Sequence, residues 1–244
     1  QQEIRQYLTI QRDNYKFLHD QTVRMMNKGL TPDEIAEAIA PPPALAATWA
    51  THGYYGTYRH NSKAIYQYYL GWYDAVPAHL DPLPPAERGA KYIAAMGGPA
   101  KVMDIAGKAM AAGEYRWSSE LLNHLVFAEP ANAEARALLA DSYEQQGYQA
   151  ESGIWRNMFL SAARDLREGV KGGFATQSID MISAIPTGLL LDSVATRIDP
   201  AIIGDRAMRL NFNFTDRDEK ARITISNAVM VPEMGVADDS AVVI

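Results

Sequence analysis

Apolar positions recur every three or four residues through most of the first 170 residues, and every second residue only near the end. That pattern predicts a mainly α chain with an α+β tail. Glu3 to Asn27 reads as one helix, with Leu8, Gln11, Tyr15, Leu18, Thr22 and Met25 on its inner face and Ile4 and Val23 beside them. Gly29 ends it. Thr31-Pro32-Asp33-Glu34 then opens a second helix as a capping box with proline at the first helical position. Ile35, Ala38 and Ile39 give its buried face, and Pro41-Pro42-Pro43 stops it. Ala44 to Thr51 is a short helix. Asn61 is the expected N-cap of a further helix, Ile65 to Tyr73, that turns Ile65, Tyr69 and Trp72 to one side.

A proline-rich connector, Pro77 to Pro85, marks a boundary. Glu87 to Arg167 is almost wholly helical. Helices are expected over 101–112, on to Phe127, and over Ala133 to Gln146, with Gly147-Tyr148 opening a fourth. Gly before Tyr at helix starts, with Pro-x-Asn between, resembles tetratricopeptide helix pairs. Ala109, Ala112, Ala137 and Ala140 are the small residues expected to let these helices pack closely. Such an array is a scaffold suited to protein contact and carries no chemistry in itself. Gly169 to Gly173 is a second linker. Short helices follow over Ser178–Ala184 and Gly188–Ile198. Ala207 to Phe214 then alternates strictly, with Met208, Leu210, Phe212 and Phe214 on one face. A polar turn at 215–219 and renewed alternation from Ala221 to Val229 predict an antiparallel hairpin, and Ser240 to Ile244 a third strand.

Composition narrows the function classes. Hydrophobic residues make up 48% and charged residues 21% of the 244, an ordinary globular mixture. The net charge is −6, and no basic run or basic helix face offers a nucleic-acid footprint. There is no cysteine, so thiolate catalysis and cysteine-ligated metal are excluded. No apolar run is long enough to cross a bilayer, and Gln1-Gln2-Glu3-Ile4-Arg5 has no signal-peptide core. Dinucleotide, P-loop, HExxH and nucleophile-elbow motifs are absent. The five histidines, His19, His52, His60, His79 and His124, are scattered, and no segment carries a convincing metal-ligand set. His19 and His124, within helices, read as packing residues.

One stretch stands apart, His52-Gly53-Tyr54-Tyr55-Gly56-Thr57-Tyr58-Arg59-His60-Asn61-Ser62-Lys63-Ala64. Glycines and polar groups at a helix start suit anion recognition. The same composition equally suits a Tyr/Gly packing loop behind a capped helix.

Gly53-Tyr54-Tyr55-Gly56, His60-Asn61, Lys63-Ala64, Tyr66-Gln67, Tyr69-Leu70-Gly71-Trp72-Tyr73-Asp74 and the proline run to Pro85 resemble the alkyl sulfatases of the metallo-β-lactamase superfamily. The likeness extends upstream to Gln11-Arg12-Asp13 and Leu18-His19-Asp20-Gln21-Thr22. Downstream it covers Tyr115-Arg116-Trp117, Glu120 to Ala128, Ala133 to Asp141, and Gly147 to Asn157. The resemblance implies three parts. Residues 1–80 would be the C-terminal helical end of a catalytic metallo-β-lactamase-like domain. Residues 81–170 would be an all-helical, tetratricopeptide-like dimerisation domain, and 171–244 an incomplete sterol-carrier-protein-2-like domain. The catalytic HxHxDH motif is not in the chain, so the chain is expected to be a fragment or one product of a split protein.

The implied activity is hydrolysis of alkyl sulfate esters such as dodecyl sulfate, by water activated on two zinc ions whose ligands lie outside this chain. The implied partners are the alkyl sulfate and a second copy, in a homodimer through the helical domain, with a periplasmic or secreted location or, alternatively, a cytoplasmic one. The family's His-Asn pair maps onto His60-Asn61. This makes His60 the candidate general acid and Asn61, Tyr54, Tyr55 and Arg59 candidate substrate contacts. Arg59 departs from the family pattern, which has a small polar residue before the histidine, and adds charge at the pocket rim. His52 is expected to support the loop. The alternative is a non-catalytic helical dimerisation and lipid-binding module, with the catalytic domain absent or on another chain.

Overall fold

The computed structural model describes residues 1–172, 178–236 and 242–243. They form two compact units, Gln1–Lys171 and Gly172–Ile244.

The first unit begins with the long helix α1 (Gln2–Met26). Its C-terminal half follows the expected face: Leu18, Thr22 and Met25 are buried. Its N-terminal half does not, for Ile4, Tyr7, Leu8 and Tyr15 are all half or more exposed. Periodicity marks which face is apolar; whether anything covers that face is a tertiary matter. Helix α2 (Pro32–Ala38) starts on the predicted capping box, Thr31 accepting from the Glu34 amide while the Glu34 carboxylate takes the Thr31 amide. Ala36, rather than Ala38, joins Ile35 and Ile39 in the core. The next segment divides into α3 (Pro43–Ala46) and a 3₁₀ turn, Trp49–Thr51. Helix α4 runs Tyr58–Leu70 and ends at Gly71, whose φ of 77° lies in the left-handed region open to glycine. Leu18, Met25, Ile35, Ile39 and Tyr66 form one core joining α1, α2 and α4. Tyr69 and Trp72, on the side marked by Ile65, are exposed.

After a 3₁₀ turn at Pro77–His79, five helices pack in succession: α5 (Pro85–Ala95), α6 (Pro99–Ala111), α7 (Tyr115–Ala128), α8 (Ala133–Gln149) and α9 (Gly153–Glu168). Ile93, Val102, Ala106, Leu121, Leu122, Leu125, Ala135 and Leu139 fill their core. Of the small residues singled out, Ala109 and Ala140 are buried, while Ala112 and Ala137 face outward. Gly147-Tyr148 does not open a helix. It continues α8, and Gly147 lets α9 close in, since a Cβ there would meet the Leu160 side chain at 2.9 Å. The true start of α9 is the Ser152 cap. His124 packs face-tilted on Tyr92, ring centroids 4.7 Å apart, and burial there pushes its pKa down.

The second unit carries α10 (Ile179–Ala184), α11 (Thr187–Ala195) and the short α12 (Pro200–Ile203). The expected hairpin forms between β1 (Met208–Phe214) and β2 (Glu219–Ser226), with Leu210 opposite Ile223 and Phe212 opposite Ala221. Strand β2 stops short of Val229. Asn227 and Ala228, both at positive φ, make a tight turn into a strand not foreseen, β3 (Val229–Met234). A two-residue turn with both φ positive is the form that suits strand twist, yet Ala in place of Gly hides the signal. A two-residue strand β4 (Val242–Val243) lies parallel to β1, giving the order β3-β2-β1-β4. The rest of the strand expected over 240–244, and Gly173 of the expected linker, lie outside the described residues. Leu191 of α11 packs on Ala221, Ile223, Ile225 and Met230. No helix among the described residues is long and apolar enough to cross a membrane.

Gly89 sits where α5 meets α7, and a Cβ there would fall 2.5 Å from the His124 carbonyl oxygen. Gly89→Ala is therefore expected to destabilise the first unit by about 1–3 kcal/mol through overpacking. Gly107→Ala in α6 meets open space and is expected to stabilise by about 0.5–1 kcal/mol. Urea unfolding of both variants checks this; coincident midpoints would contradict the close approach at Gly89.

Candidate functional site

The Tyr/Gly stretch is held from three sides. Its helix starts earlier than expected. Thr57, not Asn61, is the N-cap, its hydroxyl accepting the His60 amide at 3.0 Å, and Asn61 donates its own amide to the Thr57 carbonyl at 2.8 Å. A capping hydroxyl at Thr57 satisfies the third helical amide, so the helix begins there and His60 and Asn61 become first-turn residues. Gly56 lies directly against the Asn61 amide group, where a Cβ would come within 2.8 Å.

The second support comes from α9. The Gly153 amide donates to the Tyr54 carbonyl at 2.8 Å, and the Ser152 hydroxyl donates to the Tyr55 carbonyl at 2.5 Å, across 97 residues of chain. The same Ser152 oxygen caps α9 by accepting the Trp155 amide. The Trp155 indole N–H in turn donates to His60 Nδ1 at 3.0 Å, and the two rings meet edge to face. Beside them His52 bridges Glu151 (2.8 Å, through Nδ1) and the Ala46 carbonyl (3.1 Å, through Nε2), and stacks on Tyr54. The Glu151 carboxylate raises the His52 pKa above its ordinary value. His52 thus ties the loop down.

Helix α1 closes the third side. The Tyr58 hydroxyl donates to Asn14 Oδ1, and Gln11 donates to the Ala50 carbonyl at 2.9 Å. Between α1, the loop and α9 lies an open cleft of about 430 Å³. His60, Asn61 and Tyr55 line it, together with Asn14 and Trp155. Burial raises the Tyr58 pKa.

Two sequence candidates go elsewhere. Tyr54 is not among the cleft-lining residues and is spent on the His52 stack. Arg59 also turns away. It forks onto the Glu37 carboxylate at 2.8 and 2.5 Å, and Arg116 reaches the same carboxylate at 2.7 Å. These two guanidinium groups hold the Glu37 pKa down to about 2. The physical reason is proximity: α2 places a carboxylate next to the first turn of α4, and a forked donor takes it. Trp155, Ser152, Glu151 and Asn14 were not among the site residues expected from sequence. Ser152-x-x-Trp155 does carry a local cap signal, but nothing local says which loop it meets. Of the remaining histidines, His19 contacts the Tyr69 hydroxyl and His79 contacts Asp74. Among the described residues no group of three or more His, Cys, Asp or Glu is arranged to hold a metal. The donors described here therefore do not by themselves make a metal centre.

The geometry can be set against known proteins. The family model described as "Alkyl sulfatase dimerisation" matches residues 31–169, and "Alkyl sulfatase C-terminal" matches residues 175–244. An alkyl/aryl-sulfatase of Saccharomyces cerevisiae is 42% identical over 240 residues, 98% of this chain and 37% of that protein. A linear primary-alkylsulfatase of Pseudomonas sp. is 42% identical over 230 residues, 93% of this chain and 34% of that protein. The solved structure of a stereoselective inverting sec-alkylsulfatase from Pseudomonas sp. superposes with a TM-score of 0.92 at 42% identity, covering 98% of this chain and 38% of that one. The chain thus spans roughly a third to a half of the length of the relatives it matches.

The Glu37 carboxylate has a pKa lowered from 4.5 to about 2, so its contribution to stability is complete above pH 4.5 and is lost as pH falls towards 2. The side chain is half exposed, so screening keeps the effect below about 1 kcal/mol. Glu37→Gln is expected to be less stable than the wild type at pH 7 and to converge with it near pH 2. Thermal melts across that range check this, and a gap that widens on acidification would refute the pairing.

Proposed function

This chain belongs to the alkyl sulfatase family, and from that membership we propose that it is the C-terminal portion of an enzyme hydrolysing alkyl sulfate esters such as dodecyl sulfate to the alcohol and sulfate. The observation that carries the proposal is the convergence of His60, Asn61 and Tyr55 on one cleft built by three segments distant in sequence. In the intact enzyme the cleft completes a sulfate ester pocket. The zinc ions expected of the family are held by residues outside these 244.

His60 serves the leaving oxygen, by proton or by hydrogen bond, as the bond to sulfate breaks. Asn61 and Tyr55 offer neutral donors to the sulfate oxygens. Tyr54 and Arg59 are left out of substrate contact, because His52 and Glu37 already engage them. Residues 1–80 supply the end of the catalytic domain, 81–170 a dimerisation domain and 171–244 a sterol-carrier-like domain, the first two lying within the one compact unit Gln1–Lys171. The protein is a homodimer through its helical domain, a reading supported by the dimerisation family match over 31–169.

His60→Ala in the intact enzyme is expected to lower kcat for dodecyl sulfate by about 10²–10⁴-fold, the range spanned by a lost proton donor or a lost transition-state hydrogen bond, with zinc content unchanged. Wild-type turnover in that variant would remove His60 from the reaction. Arg59→Ala should change kcat/KM far less.

A further inference from the structure

His60 and Trp155 occupy equivalent places in two helices whose first turns meet. Each is the third helical residue, and each has its amide capped by a hydroxyl three residues back, Thr57 for His60 and Ser152 for Trp155. The start of α9 is tied to the loop leading into α4 by the Ser152 and Gly153 bonds to the Tyr55 and Tyr54 carbonyls. Trp155 is braced from behind by Phe159, edge to face with centroids 6.4 Å apart. The caps and loop bonds thus fix the backbone from which both rings project, and the rings themselves are held by their mutual contact and by Phe159.

The bond between them has a fixed direction. An indole nitrogen only donates, so the 3.0 Å contact requires His60 Nδ1 to accept. A neutral imidazole has one donor nitrogen and one acceptor nitrogen, so the ring proton is then on Nε2. In the imidazolium both nitrogens carry hydrogen, and Nδ1–H would face the indole N–H donor to donor. We propose that Trp155 is a positioning residue that fixes His60 as the Nε2–H tautomer, so that His60 acts on the sulfate ester as a neutral hydrogen-bond donor. This rests on the placing of His60 in the reaction pocket proposed above. It deepens that reading in one respect: stabilisation of the leaving oxygen comes from an aimed N–H dipole, a known use of neutral imidazole, and the proton stays on His60. The helical array, a scaffold by sequence, thereby takes part in the chemistry through α9.

Two measurements test this. The first is ¹⁵N NMR of the His60 ring in the unmutated 244-residue chain, which needs no substitution. The expected spectrum has a protonated Nε2 and an unprotonated, hydrogen-bonded Nδ1; a protonated Nδ1 overturns the proposal. The second is a double-mutant cycle in the intact enzyme with Trp155→Phe, which keeps the ring and loses the N–H. Trp155→Phe is expected to lower kcat about two- to tenfold, the worth of one hydrogen bond, with KM little changed, and to have no further effect when combined with His60→Ala. A fall in kcat that persists undiminished in the His60→Ala background means that Trp155 acts through packing alone and overturns the proposal, as does an unchanged kcat in Trp155→Phe. If His60→Ala itself leaves turnover intact, the catalytic reading of His60 fails, and the NMR spectrum still decides the tautomer on its own.

Discussion

The site depends on two hydrogen bonds from the start of α9, Ser152 Oγ to the Tyr55 carbonyl and the Gly153 amide to the Tyr54 carbonyl. A glycine-containing loop has many conformations to lose, and its carbonyls need partners once withdrawn from water. The first amides of a helix need partners as well. Each end supplies what the other lacks. Each bond contributes about 0.5–1.5 kcal/mol, modest alone, but together they pick one loop conformation out of many. The Trp155 and His52 contacts presuppose them, because each reaches its partner only when the loop lies against α9.

Electrostatics around the cleft follow from the same packing. Arg59 and Arg116 share Glu37, Lys63 pairs with Asp33, and His52 pairs with Glu151. These cations are committed to neighbouring carboxylates along one flank. Apart from His52, the polar groups that line the cleft include Asn14, Tyr55, Asn61, His60 and Trp155. On the function proposed above, recognition of an anionic ester would fall to aimed hydrogen-bond donors rather than to these cations. Orienting such donors beforehand is worthwhile only if they are rigid, and capped first turns are among the more rigid supports a helical protein offers.

The local rules in the sequence were followed closely where the controlling interaction is itself local. The Thr31–Glu34 capping box, the stops at Gly29 and Pro41, the helical run over Glu87 to Arg167 and the β1–β2 hairpin all formed as their residues require. Misreadings came where two local signals compete. Thr57 and Asn61 can each cap a helix, and the earlier one prevailed because Tyr58 to Ser62 suit helix well enough to extend it. Gly147-Tyr148 looked like a break, but glycine was there to admit Leu160. The Asn227–Ala228 turn was missed because its second residue is one that rarely takes positive φ.

By itself, then, the sequence determined the kind of most elements, their order along the chain and the family resemblance. These rest on periodicity, caps and motifs, which act over a few residues. Only the tertiary structure decided that Arg59 turns to Glu37, that the outer half of α1 keeps its apolar face exposed, and that Trp155 meets His60 from 95 residues away. The reason is that a hydrogen bond between distant segments leaves no period in either one. Trp155 reads as a helical aromatic like any other until α9 is laid against the loop.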